Sequence, residues 1–392
     1  MRLNASVQEA KQAALDVLLN NARGPYDSLP RTAGWGYPEP YTRDLMISAF
    51  GVLVTRNEEL IVSLRHTLEA LAHHQSQLGH IPSLAHDPDD RGASDTTPLF
   101  LIGLALFRRV TGESSFLEEA ARKALTWMQY QSPDDSILVA QQPTSDWRDE
   151  HWVLGYGLYV NTLVYLYLRL FGLNRQALSL RRLMNGIDVQ RKQNNHRTHE
   201  GFAVPGKPYY ALWAYKILND ERFDLLGNSL AILSGIASRS KAGRIIEWTE
   251  TECAKLRETG QLALSLPPCL IPFIQPDDLD WRQRYERYNL PGQYHNGGVW
   301  PFISGFYVAA CVAAGQFRLA EQKLAELTAL VRPAREARVA FGFNEWFRAQ
   351  DGIPYGQDWQ TWSAAMYLYA TVAVEQRSTP FFDEVRAALR RL

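Results

Sequence analysis

Three carboxylic acids crowd beside two tryptophans in Thr144-Ser145-Asp146-Trp147-Arg148-Asp149-Glu150-His151-Trp152. Like-charge repulsion and an apolar wall both raise a carboxyl pKa, which is what a general acid needs at neutral pH. The structural alternative for the same residues is an acidic cluster complementing a helix N-terminus. Far along the chain, Gly342-Phe343-Asn344-Glu345-Trp346-Phe347 sets a lone Glu among aromatics. It is followed by Asp351, Gly352, Pro354 and then Asp358-Trp359-Gln360-Thr361-Trp362. A buried, unpaired carboxylate is costly, so this position reads as one kept for chemistry, with an exposed Glu between core aromatics as the alternative. Two carboxyls of this kind are what cleavage of a glycosidic bond requires. One protonates the leaving oxygen, and the other activates water or attacks the anomeric carbon.

Other polar segments could hold a sugar beside them. Tyr294-His295-Asn296-Gly297-Gly298-Val299-Trp300-Pro301 puts two glycines, which admit close backbone approach, behind a His and an Asn able to bond hydroxyls. Tyr41-Thr42-Arg43-Asp44 opens a helix, with Arg43 and Asp44 as a polar clamp or a structural ion pair. Asp95, just before Thr96-Thr97-Pro98, is either a sugar ligand or a helix N-cap. The chain has no Gly-x-Ser-x-Gly elbow, no phosphate loop ending in Gly-Lys-Ser/Thr and no dinucleotide Gly-x-Gly-x-x-Gly. His73 and His74 are adjacent on a helix and point in different directions, which does not suit a metal. No metal or organic cofactor is expected.

These segments need a scaffold that brings them to one place. Leu60, Leu64, Leu68 and Leu71 recur at helical spacing among polar residues, as do Phe317, Ala320, Leu324, Leu327 and Val331, which predicts outer helices with one wet face. Pro98 to Phe107, Leu158 to Leu170 and Val299 to Gly315 are apolar nearly all round, which predicts inner helices. Inner and outer helices joined by turns such as Thr111-Gly112-Glu113 predict an all-α closed toroid, an (α/α) barrel, with at most short peripheral strands. Its polar linking segments, 35–44, 90–97, 143–152, 288–300 and 343–362, would line one mouth. No linker or low-complexity tract divides the chain, so residues 1–392 are expected to form one catalytic domain.

Composition narrows the partner. The 41 basic and 42 acidic side chains nearly cancel, which gives no footprint for nucleic acid or an anionic membrane and suits a small neutral carbohydrate. The 11 Trp, 18 Tyr and 16 Phe supply flat faces for sugar rings or for a large core. Cys253, Cys269 and Cys311 have no metal-ligand spacing and are an odd number, so free thiols are expected. Residues 1–20 lack the apolar run of a secretory signal, and no apolar stretch is long enough to span a bilayer, so the cytoplasm is expected.

Taken in order, the segments resemble the (α/α)-barrel glycoside hydrolases related to the neutral/alkaline invertases, glycoside hydrolase family 100, and to the glucosidase domain of glycogen debranching enzymes. The resemblance runs through the Arg43-Asp44, Asp95, Trp147-Arg148-Asp149 and Asn161 positions and the stretch Arg222 to Leu233. It continues through Tyr294 to Pro301, Phe343 to Trp346 and Gln360 to Ser363. It implies an (α/α)6 toroid and an inverting mechanism, with Asp149 as general acid, Asp146 as its rival, and Glu345 as general base. Arg43, Asp44, Asp95, His295, Asn296 and Trp300 would hold the glycone. Trp35, Tyr41, Trp147, Trp346, Gln360 and Trp362 complete the candidate binding set. An inverting pair stands roughly 6.5–9.5 Å apart, with room for water. The expected substrate is a small α-glucoside; sucrose, a maltose-type or branched glucoside, and a sugar linked to a small acid all satisfy such a pair. A sugar epimerase using His295 as acid/base, or a barrel that binds carbohydrate without turnover, remain the alternatives. Oligomeric state is not encoded in these patterns.

Overall fold

The computed structural model describes residues 5–133, 137–186, 189–190, 197–198, 201–215, 218–336 and 339–387. The helices in chain order are α1 (Ala5–Asn21), α2 (Thr42–Thr55), α3 (Glu58–His73), α4 (Thr96–Thr111), α5 (Glu118–Gln129), α6 (Leu158–Leu170) and α7 (Asn174–Met184). They continue with α8 (Leu225–Ser234), α9 (Arg239–Glu258), α10 (Tyr285–Tyr288), α11 (Pro301–Ala313), α12 (Phe317–Leu330), α13 (Thr361–Gln376) and α14 (Phe382–Ala387). The first four residues of the segment read above for a secretory signal lie outside the described residues; the rest of it forms most of α1.

Among the described residues, α2, α4, α6, α8, α11 and α13 each pack on the next, and α13 returns to α2, which closes an inner ring of six helices. Each carries an outer partner: α3, α5, α7, α9, α12 and, for α13, the N-terminal α1. This is an (α/α)6 toroid. The inner helices are apolar on every side because every side is covered: all residues of α8 and nearly all of α6, α11 and α13 are buried. The outer α3 buries Leu60, Leu64, Thr67, Leu68 and Leu71 along one stripe. Local stops are built in: Asn57, Asp224 and Ser238 accept bonds from the first-turn amides of α3, α8 and α9, Pro301 opens α11, and Gly112 and Gly235 end α4 and α8 in the left-handed region.

Close packing around α13 depends on missing side chains. A Cβ at Gly51 on α2 would stand 2.0 Å from the Ala365 carbonyl oxygen, and one at Gly305 on α11 would stand 2.6 Å from that of Met366. No helix among the described residues is long and apolar enough to cross a membrane.

The strands are short and sit on the lead-in segments to the inner helices. Tyr156–Gly157, Ala211–Tyr215, Leu218–Asp224 and Leu270–Ile271 form one antiparallel sheet in that order, with Tyr156 opposite Ala214, Ala211 opposite Phe223 and Asp224 opposite Leu270. Trp346–Phe347 pairs with Pro354–Tyr355, and Val189–Gln190 with Arg197–Thr198. A recurring amide clamp pins these lead-ins. Asn161 on α6 bonds both backbone groups of Val139 (2.8 and 3.0 Å), and Asn228 on α8 does the same to Tyr210 (2.9 and 3.0 Å). Ahead of α11, Asn296 holds both groups of Ile274 (2.7 and 2.9 Å) and also donates to the Asn289 carbonyl at 2.9 Å.

Candidate active site

The segments before α2, α4, α6, α11 and α13 converge at one mouth. Asp149 is its most accessible carboxylate, on the loop before α6, with a side chain about half exposed. Its Oδ2 lies 3.8 Å from Arg43 Nη1 and its Oδ1 3.9 Å from His295 Nε2. Burial in the concave site raises its pKa; Arg43 opposes this, and Glu150, Asp146 and Asp95 add to it.

The loop carrying Asp149 is fixed from below. Arg148 is fully buried, lies 4.4 Å from the Trp147 ring, and pairs with the buried Asp224 that caps α8. Glu150 pairs with Arg284, and the Trp152 amide donates to the Tyr285 hydroxyl at 2.9 Å. Asp146 is consumed by this scaffolding: one oxygen accepts from the Arg148 amide at 2.7 Å, the other from Gln141 Nε2 at 3.0 Å.

Glu345 faces the same space from the loop before α13. Its backbone amide donates to the Gln357 carbonyl at 3.1 Å, and its Oε2 accepts from the Gln357 amide at 3.3 Å. Gly356, at φ +74°, makes this possible, since a Cβ there would stand 2.2 Å from Glu345 Oε2. Burial, with the charge of Asp149 adding to it, pushes the Glu345 pKa up to about 7, against the opposing pull of the Gln357 bond and Arg335. A general base poised near neutrality has this character.

Around the two acids, Asp44 on α2 is buried and its pKa is pushed up to about 8, by burial first and then by Glu345 and Asp149 over the opposing Arg43. It is therefore a hydrogen-bond donor at neutral pH. Arg43 binds Asp95, not Asp44, through Nε (2.6 Å) and Nη2 (3.1 Å). Asp95 is fully buried behind that guanidinium and makes no side-chain cap bond to α4. His295 is held well below its ordinary pKa by burial, with His151, Arg148 and Arg43 adding, so it is neutral. Asn296 is buried and spends both amide hydrogens and one of the two lone pairs of its oxygen on the backbone clamp described above.

The tryptophans divide into floor and rim. Trp147, Trp300 and Trp362 are buried and pack edge to face, Trp147 on Trp300 at 5.4 Å and Trp300 on Trp362 at 6.0 Å. The indole nitrogens of Trp147 and Trp362 and the Oε1 of Gln360 are buried without a protein partner. Trp346 stacks on Tyr355 at 4.7 Å. Trp35 stands on the rim against Trp359, and Tyr41 packs edge-on to Tyr37.

Two rim residues carry no role in the sequence reading. Tyr37 is half-buried and its pKa is pushed up to about 12, by burial and then by Glu345, Tyr41 and Asp149, which puts its hydroxyl within the field of both acids. Tyr294 feels the same pair. Tyr37 lies two residues from Trp35 inside a segment already marked as mouth, which was the available signal. Thr144, Tyr294, Phe343 and Trp359 all adopt positive φ in these loops, a clustering of backbone strain that sequence does not reveal.

The same (α/α) toroid is found in solved structures, glycosidases among them. An uncharacterized conserved protein from Thermus thermophilus superposes with a TM-score of 0.63 at 15% identity, over 92% of this chain and 100% of that one. The mannosylglycerate hydrolase of the same organism, solved with Tris and D-glycerate, gives 0.62 at 15% identity over the same shares. A glycosidase variant solved with glucose gives 0.64 at 13% identity, over 95% of this chain and 97% of that one.

At the level of sequence, residues 215–377 match the family described as alkaline and neutral invertase. Cytosolic invertase 1 of Oryza sativa subsp. japonica is 29% identical over 164 residues, 41% of this chain and 27% of the rice protein. Probable alkaline/neutral invertase D of Arabidopsis thaliana is 28% identical over 41% of this chain and 28% of its own length. The chain thus matches little more than a quarter of the length of these relatives. The family match spans α8 to α13, with His295, Trp300 and Glu345, and stops short of Arg43, Asp95 and Asp149.

Proposed function

We propose that the protein is an inverting glycoside hydrolase acting on a small, neutral α-glucoside, with Asp149 as general acid and Glu345 as general base. The observation that carries this reading is the pair itself. Two carboxyls from loops 196 residues apart in sequence face one cavity, both with raised pKa, and Glu345 feels the charge of Asp149. Asp149 is accessible and has cationic and imidazole neighbours, whereas both Asp146 oxygens are already bonded, which favours Asp149 over its rival.

In this mechanism the sugar enters over Trp35 and Tyr37 and settles on the Trp147–Trp300–Trp362 floor. Asp44, protonated, donates to a hydroxyl, and the unpartnered Trp362 N–H and Gln360 Oε1 offer a donor and an acceptor at depth. Asp149 gives its proton to the leaving oxygen while Glu345, ionised, takes one from the attacking water. The bond breaks with inversion. Neutral His295 adds no positive charge that would favour loss of the Asp149 proton.

The test is a chromatographic screen of released sugar over sucrose, maltose, isomaltose and a glucosyl-glycerate, with the anomer read by NMR. Release of the β-anomer from an α-glucoside is expected. Asp149→Asn and Glu345→Gln should each lower kcat by about 10²–10⁴-fold without loss of fold. Near-wild-type turnover in both variants, or retention of configuration, would overturn the assignment.

A further inference from the structure

Asp95 sits at the start of α4 with no exposure to the cavity, yet it is joined to the proposed acid through one residue. Both its oxygens engage Arg43, and the Tyr159 hydroxyl on α6 donates to Oδ2 at 3.4 Å. Only the third nitrogen of that guanidinium, Nη1, reaches toward Asp149. Three neighbouring inner helices therefore contribute to one relay: Tyr159 from α6, Asp95 from α4 and Arg43 from α2.

A cation 3.8 Å from an acid has two opposed effects. It fixes the carboxyl in place, and it favours loss of the proton the acid must deliver. An anion behind the cation keeps the first effect and reduces the second. We propose that Asp95 is a positioning residue for the acid: it anchors Arg43 and offsets its charge, so that Arg43 orients Asp149 without stripping its proton.

This rests on the reading of Asp149 as the acid. The charged and titratable groups that face Asp149 are Arg43, Glu150, Asp146, Asp95 and His295, with Asp44, Glu345, Tyr37, Tyr41 and Tyr294 across the cavity. Arg43 is the cation among them that both touches Asp149 and has an anion bound behind it.

The experiment compares wild type and Asp95→Asn on a disaccharide, whose leaving group needs a proton, and on α-glucosyl fluoride, whose leaving group needs far less help. Asp95→Asn should lose about 10²-fold in kcat on the disaccharide, keep KM, and change less than about threefold on the fluoride. Its pH optimum should move to lower pH, because Arg43 is then uncompensated. Equal losses on both substrates, or an optimum that stays or moves up, would overturn the proposal.

The double variant Arg43→Gln/Asp95→Asn leaves neither partner charged and is expected to fold even where the single variant does not. With no cation beside Asp149, its optimum should move above that of wild type; an unmoved optimum counts against the proposal. Absence of hydrolysis in wild type on every glycoside would instead defeat the catalytic reading itself.

Discussion

At the residue scale, Glu345 shows how a site residue can be paid for in stability. Its folded pKa of about 7 stands above the ordinary 4.5, so the native state holds a proton that the unfolded state has released between those values. Stability contributed by this group is thus full below about pH 4.5 and falls as pH rises toward 7. The ionised form costs about 3 kcal/mol above that, at roughly 1.36 kcal/mol per pH unit. Glu345→Gln should therefore raise the midpoint of thermal unfolding at pH 8 and leave it nearly unchanged at pH 5; equal midpoints at both pH values for variant and wild type would contradict this origin. Turnover should depend on the same ionisation, with kcat/KM climbing as pH passes through about 7. The burial of Glu345 was legible in the sequence because a lone acid among Phe, Asn, Trp and Phe is rare on a wet surface. The Arg148–Asp224 pair was not, because its partners are 76 residues apart and each reads locally as an ordinary charge.

At the scale of elements, the inner helices announced themselves by hydrophobicity on all faces, and α4, α6 and α11 fall where that pattern placed them. The hairpin Ala211–Tyr215 with Leu218–Asp224 did not, because Leu218–Asp224 is mostly polar and owes its extended form to pairing on both sides. Nor could sequence show that Gly51 and Gly305 are contact points: a helical glycine reads as a weak helix former until its neighbour is known. Gly51→Ala should lower unfolding free energy by about 1–3 kcal/mol or more, since backbone of α13 must move to admit the methyl. Chemical denaturation measures this; an unchanged midpoint would mean that the α2–α13 approach is looser than it stands here.

At the scale of the whole molecule, the toroid closes with the first helix serving the last hairpin. α1 is the outer cover of α13, and Lys11 binds Glu375 at 2.8 Å to join them. Removing residues 1–21 should strip α13 of that cover and turn a single cooperative melt into a broad or two-step one, which calorimetry would detect; a sharp, unshifted melt would show that the ring needs no such seal. The ring also aims the N-terminal ends of its inner helices at one mouth, where their partial positive charge favours the ionised form of Glu345 on which the proposed mechanism depends. The amide clamps that tether the lead-ins have a different significance over time. Asn296 precedes Gly297, the dipeptide most prone to spontaneous deamidation in flexible chains. Here the backbone amide and carbonyl of Asn296 are both hydrogen-bonded and its side chain is held by Ile274 and Asn289, which slows cyclisation, and conversion to aspartate would turn a donor toward two carbonyls into an acceptor. Deamidation here should thus report how often this corner opens, so that chemical ageing becomes a clock for local unfolding at the mouth of the barrel.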